Sequence, residues 1–257
     1  MKAMDVKDWM LPFMCVLGLF ASRGENLAEV YGLTQANFTQ GPLSINYCGR
    51  VFSFNPAKPM NLVLVWHGGS GKGDDNQKQL TTYAVAPLLA YLEKNRINCV
   101  ALFPQCPSKS VNWISGGDLS PMMATRALVR AKAREYRVSA GNTFFAGISM
   151  GGTAAYNLFA ADVPNLFGKV VVCSARGDTA LAPKITASAR IFNGSNDDIV
   201  DPMAGKVMAE AIAAAGGTAR WRMLDGYGHA KAAEVAFSDS QWDWFFRPTR
   251  GLVFRIQ

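Results

Sequence analysis

The sequence GISMG at residues 147–151 has the pattern G-x-S-x-G, which places a serine where it could act as a nucleophile. A short apolar run at residues 143–146 precedes it and a helical pattern at residues 150–161 follows it. In a sharp turn from strand to helix, small neighbours avoid clashes and the serine hydroxyl is lifted off the sheet edge. Free N–H groups at the helix start can stabilise the oxyanion that forms when the serine attacks a carbonyl. We therefore predict Ser149 as a nucleophile; the alternative is a glycine-rich turn with a capping serine.

A serine hydroxyl needs a base, and the chain contains only two histidines, His67 and His229. His67 precedes the serine in the chain, whereas His229 follows the last predicted strand. In enzymes built around this turn, the chain order is serine, acid, histidine. His229 fits that order and is predicted to be the base. We expect His67 to be structural, bonding nearby backbone and shaping its loop.

The acid that orients the base should lie between the serine and His229, on a loop at the same sheet edge. Residues 193–200 (NGSNDDIV) follow a predicted strand and contain the leading candidates, Asp197 and Asp198. Asp178 is a weaker candidate, and Asp225 is expected to be a turn residue. The residue types alone do not choose between the two leading aspartates.

A second glycine-rich loop, HGGSGKG at residues 67–73, follows another predicted strand. Its small residues allow backbone N–H groups to approach a substrate oxygen, so it can complete an oxyanion hole. We predict the N–H groups of Gly69 and Met150 as the two donors, with Ser70 as the nearest alternative to Gly69. The same residues do not form a phosphate-binding loop of the pattern G-x-x-x-x-G-K-[ST]. That pattern needs glycine at position 66 and serine or threonine at position 73, where this chain has tryptophan and glycine.

Short apolar runs alternate with helical patterns over most of the chain, which is typical of a parallel sheet covered on both faces. The predicted strands are residues 61–66, 99–103, 143–146, 169–173, 190–193 and 220–224, and the predicted helices are residues 77–94, 121–136, 150–161 and 202–215. Residues 43–47 and 51–54 are predicted to form an antiparallel hairpin around residues 48–50. The prediction is an α/β fold with a mostly parallel central sheet, helices on both faces, an antiparallel N-terminal hairpin and no large lid.

The predicted helix at residues 121–136 has two faces. One face should pack on the sheet, through Met122, Thr125, Val129, Ala133 and Tyr136. The other is a stripe of arginines, Arg126, Arg130, Arg134 and Arg137. Such a stripe can contact an anionic surface, but it is more often the solvated side of a helix, and we favour that interpretation.

Composition excludes several classes of protein. The 257 residues include 49% hydrophobic and 18% charged residues, which is typical of a globular core and not of a disordered chain. The net charge of +7 is modest, and we predict no nucleic-acid partner. No apolar run is long enough for a stable membrane span. With two separated histidines and no C-x-x-C, we predict no metal and no cofactor.

The N-terminal segment at residues 9–21 (WMLPFMCVLGLFA) is uncharged and follows two lysines, as in a secretory signal. Asp5 and Asp8 argue against that interpretation, and the alternative is a short apolar helix or an uncleaved anchor. The expectation is a secreted or periplasmic protein, otherwise a cytoplasmic one. Residues 1–21 are then a signal or apolar segment, and residues 22–257 a single domain.

Five cysteines are present, Cys15, Cys48, Cys99, Cys106 and Cys173. If Cys15 is removed with a signal, the four others allow three complete disulfide pairings. Cys99 and Cys173 lie in apolar strand-like runs and are expected to be buried thiols.

In order and spacing, the sequence resembles the α/β-hydrolase superfamily, and most closely the small esterases grouped with polyhydroxyalkanoate depolymerases, feruloyl esterases and phospholipase/carboxylesterases. The matching segments are residues 49–52, 65–69, 103–107, 146–153, 164–167, 193–200 and 228–229. The acid motif of these enzymes, G-x-x-D-x-x-V, falls on Gly194, Asp197 and Val200, so the resemblance favours Asp197 over Asp198. Asn193 stands where these enzymes usually carry histidine.

The resemblance implies a serine carboxylesterase that acts through an acyl-enzyme on a small-molecule or polymer ester. One alternative is a peptidase of the prolyl-oligopeptidase type, and another is a non-catalytic binding protein on a hydrolase fold. Trp113, Tyr156 and Tyr227 are candidates to line a substrate pocket. The acyl group, the alcohol and the oligomeric state are not determined by the sequence.

Overall fold

The computed structural model of the protein describes residues 26–161 and 166–247. The predicted signal segment with Cys15 lies outside these residues, as do Pro164 and Asn165 of one matching segment. The described chain is built around eight strands: β1 (Thr34–Gln40), β2 (Leu43–Phe52), β3 (Asn61–Trp66), β4 (Cys99–Pro104), β5 (Thr143–Ile148), β6 (Lys169–Cys173), β7 (Ser188–Gly194) and β8 (Ala219–Leu224).

The eight strands form one sheet in the order β1-β2-β4-β3-β5-β6-β7-β8. Strand β2 pairs antiparallel with both β1 and β4, and all other neighbours are parallel. Strand β5 therefore lies inside a six-stranded parallel region. The loops that follow β3, β6 and β7 begin at the same edge of the sheet as the turn after β5. The predicted mostly parallel sheet is confirmed.

Helices cover both faces of the sheet: α1 (Leu27–Val30), α2 (Val85–Lys94), α3 (Pro121–Glu135), α4 (Met150–Ala160), α5 (Ala204–Ala214), α6 (Ala232–Ala236) and α7 (Asp239–Phe246). Alternate residues of β3 belong to different cores, because successive strand side chains point to opposite faces. Val63 and Val65 pack in the core that includes α2, α6 and α7, and Leu62 and Leu64 in the core that includes α3, α4 and α5.

The N-terminal hairpin is real, but the predicted position of its turn was wrong. Residues 43–52 form one continuous strand, β2, and the turn lies at Gly41, which has φ 57°. The partner strand β1 was not predicted, because its sequence TQANFTQ is largely polar and exposed.

Gly49 lies within β2 and does not interrupt the strand. A Cβ at this position would lie 3.1 Å from the Ala101 carbonyl oxygen of the paired strand β4. The glycine thus permits close strand pairing.

Two predicted helices are shorter than their patterns suggested. The region 77–94 contains a 3₁₀ turn, Lys78–Thr81, before the α-helix begins at Val85. Helix α5 begins at Ala204 and not at Pro202. Helix α3 begins as expected, with Pro121 at its first position and the Ser120 hydroxyl accepting a bond from the Met123 N–H at 3.4 Å. Thr125 and Val129 of α3 are buried against the sheet, whereas Met122, Ala133 and Tyr136 are half-buried.

In residues 26–161 and 166–247, no helix has both the length and the apolar character needed to cross a bilayer.

Candidate active site

Ser149 occupies the turn between β5 and α4 with φ 54° and ψ −122°, a strained backbone for a non-glycine residue. Its N–H donates to the Cys173 carbonyl oxygen at 3.0 Å, which ties the turn to the neighbouring strand. The flanking glycines are required sterically. A Cβ at Gly147 would lie 2.6 Å from the Phe145 ring, and one at Gly151 would lie 2.6 Å from the His67 carbonyl oxygen. The turn exists in this form only with small residues on both sides of the serine.

Ser149, His229 and Asp197 are joined in a hydrogen-bonded row, although 80 and 32 residues separate the successive pairs in the chain. His229 Nε2 lies 2.8 Å from Ser149 Oγ. His229 Nδ1 lies 2.9 Å and 2.8 Å from the two carboxylate oxygens of Asp197. With Nδ1 donating to the carboxylate, Nε2 is left as an acceptor for the serine proton. The arrangement can deprotonate a serine and stabilise the imidazolium that results.

Asp197 is held in place by backbone donors as well as by the imidazole. Its Oδ1 accepts hydrogen bonds from the N–H groups of Ile199 and Val200, at 3.0 Å and 2.9 Å. Its side chain has no exposed surface, so the carboxylate has these N–H groups and His229 in place of water. The turn depends on Gly194, because a Cβ there would overlap the Tyr227 carbonyl oxygen.

The other acid candidates do not contact His229. Asp198 is exposed to solvent. Asp178 caps the following 3₁₀ turn by accepting a bond from the Ala180 N–H at 2.9 Å. Asp225 accepts a bond from the Ser195 hydroxyl at 3.2 Å in the turn after β8. Among the predicted acids, the structure therefore brings only Asp197 to His229.

His67 is buried and makes two hydrogen bonds to backbone. Its Nδ1 donates to the Gly68 carbonyl oxygen at 2.6 Å, and its Nε2 accepts from the Cys106 N–H at 3.0 Å. Burial lowers its pKa to about 4, so the ring is neutral at physiological pH. A Cβ at Gly71 would lie 2.4 Å from the ring, so the loop folds tightly around the imidazole. His67 thus organises the glycine-rich loop after β3.

That loop lies directly against the serine. A Cβ at Gly68 would be 3.2 Å from the Ser149 Cβ, and the 3₁₀ turn Gly69–Gly71 follows immediately. The Gly68 carbonyl oxygen accepts bonds from His67 and from the Gly71 N–H at 3.2 Å. Because a trans peptide directs its C=O and N–H to opposite sides, the Gly69 N–H points away from the imidazole. As first residues of their helices, Gly69 and Met150 have N–H groups without an acceptor inside the helix.

Gln105 is a buried residue of this region that the sequence interpretation did not single out. Its amide nitrogen donates to the Gly71 carbonyl oxygen at 3.3 Å and to Asp75 Oδ1 at 2.7 Å. Its amide oxygen accepts from the Asn76 N–H at 2.6 Å. Gln105 thus connects the end of β4 to the glycine-rich loop. A polar residue directly after an apolar strand, within FPQCP, was the available signal.

The three aromatic candidates occupy different environments. Trp113 is fully buried, stacks on Trp66 at 4.3 Å between ring centroids, and donates to the His67 carbonyl oxygen at 3.4 Å. Tyr156 is also fully buried. Both therefore support the core and the loop instead of presenting a face to a substrate, which corrects the expectation for them. Tyr227 is half-buried in the loop that leads to His229, and its carbonyl oxygen accepts from the Asn196 N–H at 3.0 Å.

Cys48, Cys99, Cys106 and Cys173 are all buried free thiols, so none of the three possible pairings is formed. Burial raises the pKa of Cys106 to about 11 and of Cys173 to about 12, which disfavours the reactive thiolate. Within the described part of the chain, no three or more His, Cys, Asp or Glu side chains are grouped to hold a metal ion.

Comparison with known proteins identifies similar structures at low sequence identity. No family model matches the chain, and no curated protein matches it either. A thermostable esterase superposes with a TM-score of 0.71 at 20% identity, over 83% of this chain and 62% of the esterase. A ferulic acid esterase gives a TM-score of 0.62 at 16% identity, over 81% of this chain and 95% of that enzyme. An acylaminoacyl peptidase from Pyrococcus horikoshii gives a TM-score of 0.62 at 9% identity, over 83% of this chain and 40% of the peptidase.

The chain thus spans less than two thirds of the thermostable esterase and less than half of the peptidase. At these identities the similarity concerns the fold, which esterases and peptidases share. The strand order, the serine turn after β5 and these superpositions agree, so the described part of the chain has the α/β-hydrolase fold.

Proposed function

We propose that this protein is a serine carboxylic-ester hydrolase that acts through an acyl-enzyme, with Ser149 as nucleophile, His229 as base and Asp197 as acid. The observation that carries the proposal is the row of hydrogen bonds from Ser149 Oγ to His229 and from His229 to Asp197, at 2.8 Å each. A serine is activated for attack by a base at this distance, provided that a third group fixes the ring.

The proposed reaction begins when His229 Nε2 accepts the Ser149 proton as Oγ attacks the ester carbonyl. Asp197 stabilises the imidazolium that forms, and the imidazolium then protonates the leaving alcohol. The acyl-enzyme remains, and His229 activates a water molecule that releases the acid. The same two nitrogens serve both half-reactions, so no further titratable group is required.

The proposed oxyanion hole consists of the N–H groups of Met150 and Gly69. The position of Gly68 against Ser149 and the direction of the Gly68–Gly69 peptide support this assignment. Each such donor is worth about 10²- to 10³-fold in kcat. Ser70, the next residue of the same 3₁₀ turn, remains the alternative donor.

A serine peptidase is the second candidate, because an acylaminoacyl peptidase has a similar fold. A binding protein is the third, although its site would not need a nucleophile bonded to a base. The resemblance of segments such as residues 193–200 to small esterases favours the first candidate.

The test is hydrolysis of p-nitrophenyl acetate, butyrate and octanoate beside an aminoacyl-proline p-nitroanilide, with Ser149→Ala as the matched control. We expect the esters to be cleaved by the wild type and not by the variant. Cleavage of the anilide in preference to the esters would establish a peptidase. No cleavage of either class would leave the binding protein as the remaining candidate.

A further inference from the structure

Strand β6 ends at Cys173, and the residue that follows it, Ser174, has a backbone conformation that is unusual for serine. Its φ is 48°, in the left-handed region that favours glycine. Among the described residues, only five other than glycine have a positive φ, and another of these five is Ser149. Strained residues persist where the surrounding structure holds them, and they concentrate at functional sites. A serine at a position that glycine would occupy without strain directs attention to its hydroxyl.

The Ser174 side chain is fully buried, and its hydroxyl donates a hydrogen bond to the His229 backbone carbonyl oxygen at 2.7 Å. This bond joins two residues that are 55 positions apart in the chain. It holds the main chain at His229, from which the imidazole must reach both Ser149 Oγ and the Asp197 carboxylate. Ser174 therefore restrains the backbone that carries the base.

The backbone around Ser174 also contacts the elements that carry the other two members of the hydrogen-bonded row. The Cys173 carbonyl oxygen accepts from the Ser149 N–H at 3.0 Å. The Ser174 N–H donates to the Phe192 carbonyl oxygen of β7 at 2.8 Å, and β7 leads directly to the turn that contains Asp197. These two neighbouring residues are thus hydrogen-bonded to the nucleophile turn, to the strand that precedes the acid and to the base.

We propose that Ser174 is a positioning residue of the serine site, whose hydroxyl fixes the His229 backbone so that the imidazole meets Ser149 and Asp197 together. Small displacements matter in such a site, because a shift of about 1 Å can cost on the order of 10²-fold in rate. The effect of Ser174 on rate rests on the proposed function. Its effect on the placement of the imidazole does not involve a substrate, and it can be measured separately.

The placement of the imidazole is tested by nuclear magnetic resonance of the ring nitrogens in protein labelled with ¹⁵N-histidine. The chain has only two histidines, and His67→Gln assigns their signals. The chemical shifts of ring nitrogens report their hydrogen bonds. We therefore expect Ser174→Ala to shift the signals of His229 and to leave those of His67 unchanged. Wild-type signals of His229 in this variant would overturn the proposal.

The effect on rate is tested by steady-state hydrolysis of p-nitrophenyl butyrate by Ser174→Ala and Ser174→Gly. Both variants lack the hydroxyl, and we expect both to lower kcat roughly 10- to 100-fold with little change in KM. Because glycine relieves the positive φ, Ser174→Gly should resist urea better than Ser174→Ala. A loss of kcat common to both, despite their different stabilities, separates positioning from folding. Wild-type kcat in Ser174→Gly, or a raised KM at unchanged kcat, would overturn the proposal.

Thr143→Val is the matched control. The Thr143 side chain is also buried, and it donates to a backbone carbonyl oxygen, that of Ser139, at 3.0 Å. It lies at the start of β5, about 20 Å along the strand from Ser149. The variant should lose stability but keep the wild-type kcat and the wild-type signals of His229. Changes as large as those in the Ser174 variants would overturn the proposal, because they would show a general response to a lost buried hydrogen bond.

The two measurements distinguish failure of this proposal from failure of the proposed function. A wild type that cleaves no ester would contradict the function. The signals of His229 in Ser174→Ala would still decide the role of Ser174, since a shift supports positioning of the imidazole and unchanged signals overturn it.

Discussion

His67 and His229 both follow strands of the parallel region, β3 and β8, yet their surroundings give them opposite properties. The Nδ1 and Nε2 atoms of His67 are both paired with backbone groups, a carbonyl oxygen and an N–H. His229 pairs with a carboxylate on one side and a hydroxyl on the other, and 13% of its side chain is exposed.

The difference shows that hydrogen-bond partners decide what a histidine can do. Protonation of His67 would force its Nε2, which accepts from the Cys106 N–H, to become a donor facing another donor. Burial acts in the same direction and lowers the pKa of His67 to about 4. At His229, a proton taken from Ser149 creates an imidazolium whose other nitrogen already faces a carboxylate. One ring is therefore suited to positioning and the other to proton transfer.

The largest expected effect concerns Ser149 and His229 themselves. Ser149→Ala and His229→Ala should each reduce kcat for ester hydrolysis by roughly 10⁶-fold, because the two groups act as one unit. For the same reason the double variant should be little worse than either single one. Steady-state kinetics of the three variants checks this, and additive losses in the double variant would show that the two residues act separately.

Asp197→Asn should lower kcat by roughly 10³- to 10⁴-fold, because the amide cannot stabilise the imidazolium and can favour the wrong tautomer. Asp198→Asn is the matched control, since this neighbour is exposed and should change kcat little. The measurement is kcat on one ester for both variants. The reverse ranking would mean that Asp198 and not Asp197 serves His229 in solution.

His67→Ala should reduce kcat by a smaller factor, roughly 10- to 100-fold, through misplacement of one oxyanion donor. It should also lower the free energy of unfolding by about 2–4 kcal/mol, because it leaves a cavity and an unpaired Cys106 N–H. Kinetics and urea unfolding of the same preparation measure both effects. Complete inactivation, equal to that of His229→Ala, would contradict the division of roles between the two histidines.

The smallest effect is a dependence of stability on pH that originates at His67. Its pKa is about 4 when folded and 6.5 when unfolded, so the unfolded chain binds more protons between these values. The contribution of His67 to the free energy of unfolding is fully present above pH 6.5. It decreases as the pH falls towards 4, by at most about 3 kcal/mol. Urea unfolding at several pH values measures this dependence. The free energy of unfolding should decrease less steeply with falling pH in His67→Gln than in the wild type. Parallel curves for the two proteins would argue against a buried neutral His67.

The parts of the site that the sequence predicted are those with local signals. The strand, the turn and the helix around Ser149 are contiguous, and the scarcity of histidine narrowed the base to two residues. The distinction between Asp197 and Asp198 is not local, because both lie in one turn and only the backbone direction buries one of them. The prediction of Asp197 over Asp198 came from the family resemblance and not from the residue types.

What sequence did not reveal depends on long-range packing. Strand β1 has a polar sequence, and it forms because β2 offers a pairing edge. Trp113 resembled a pocket residue because it stands in a loop, but the fold brings Trp66 beneath it and buries both rings. Gln105 likewise gains its role only when the loop after β3 folds against it. Each of these needed a partner distant in the chain.

The most direct test of the central claim is labelling with a fluorophosphonate probe, followed by mass spectrometry of the modified peptide. The probe requires an activated serine beside an oxyanion hole and does not require knowledge of the natural substrate. We predict that the wild type and His67→Ala are labelled at Ser149, the variant more slowly, and that Ser149→Ala and His229→Ala are not labelled. Labelling that persists in Ser149→Ala, or that is lost in His67→Ala and retained in His229→Ala, would contradict the assignment of nucleophile and base.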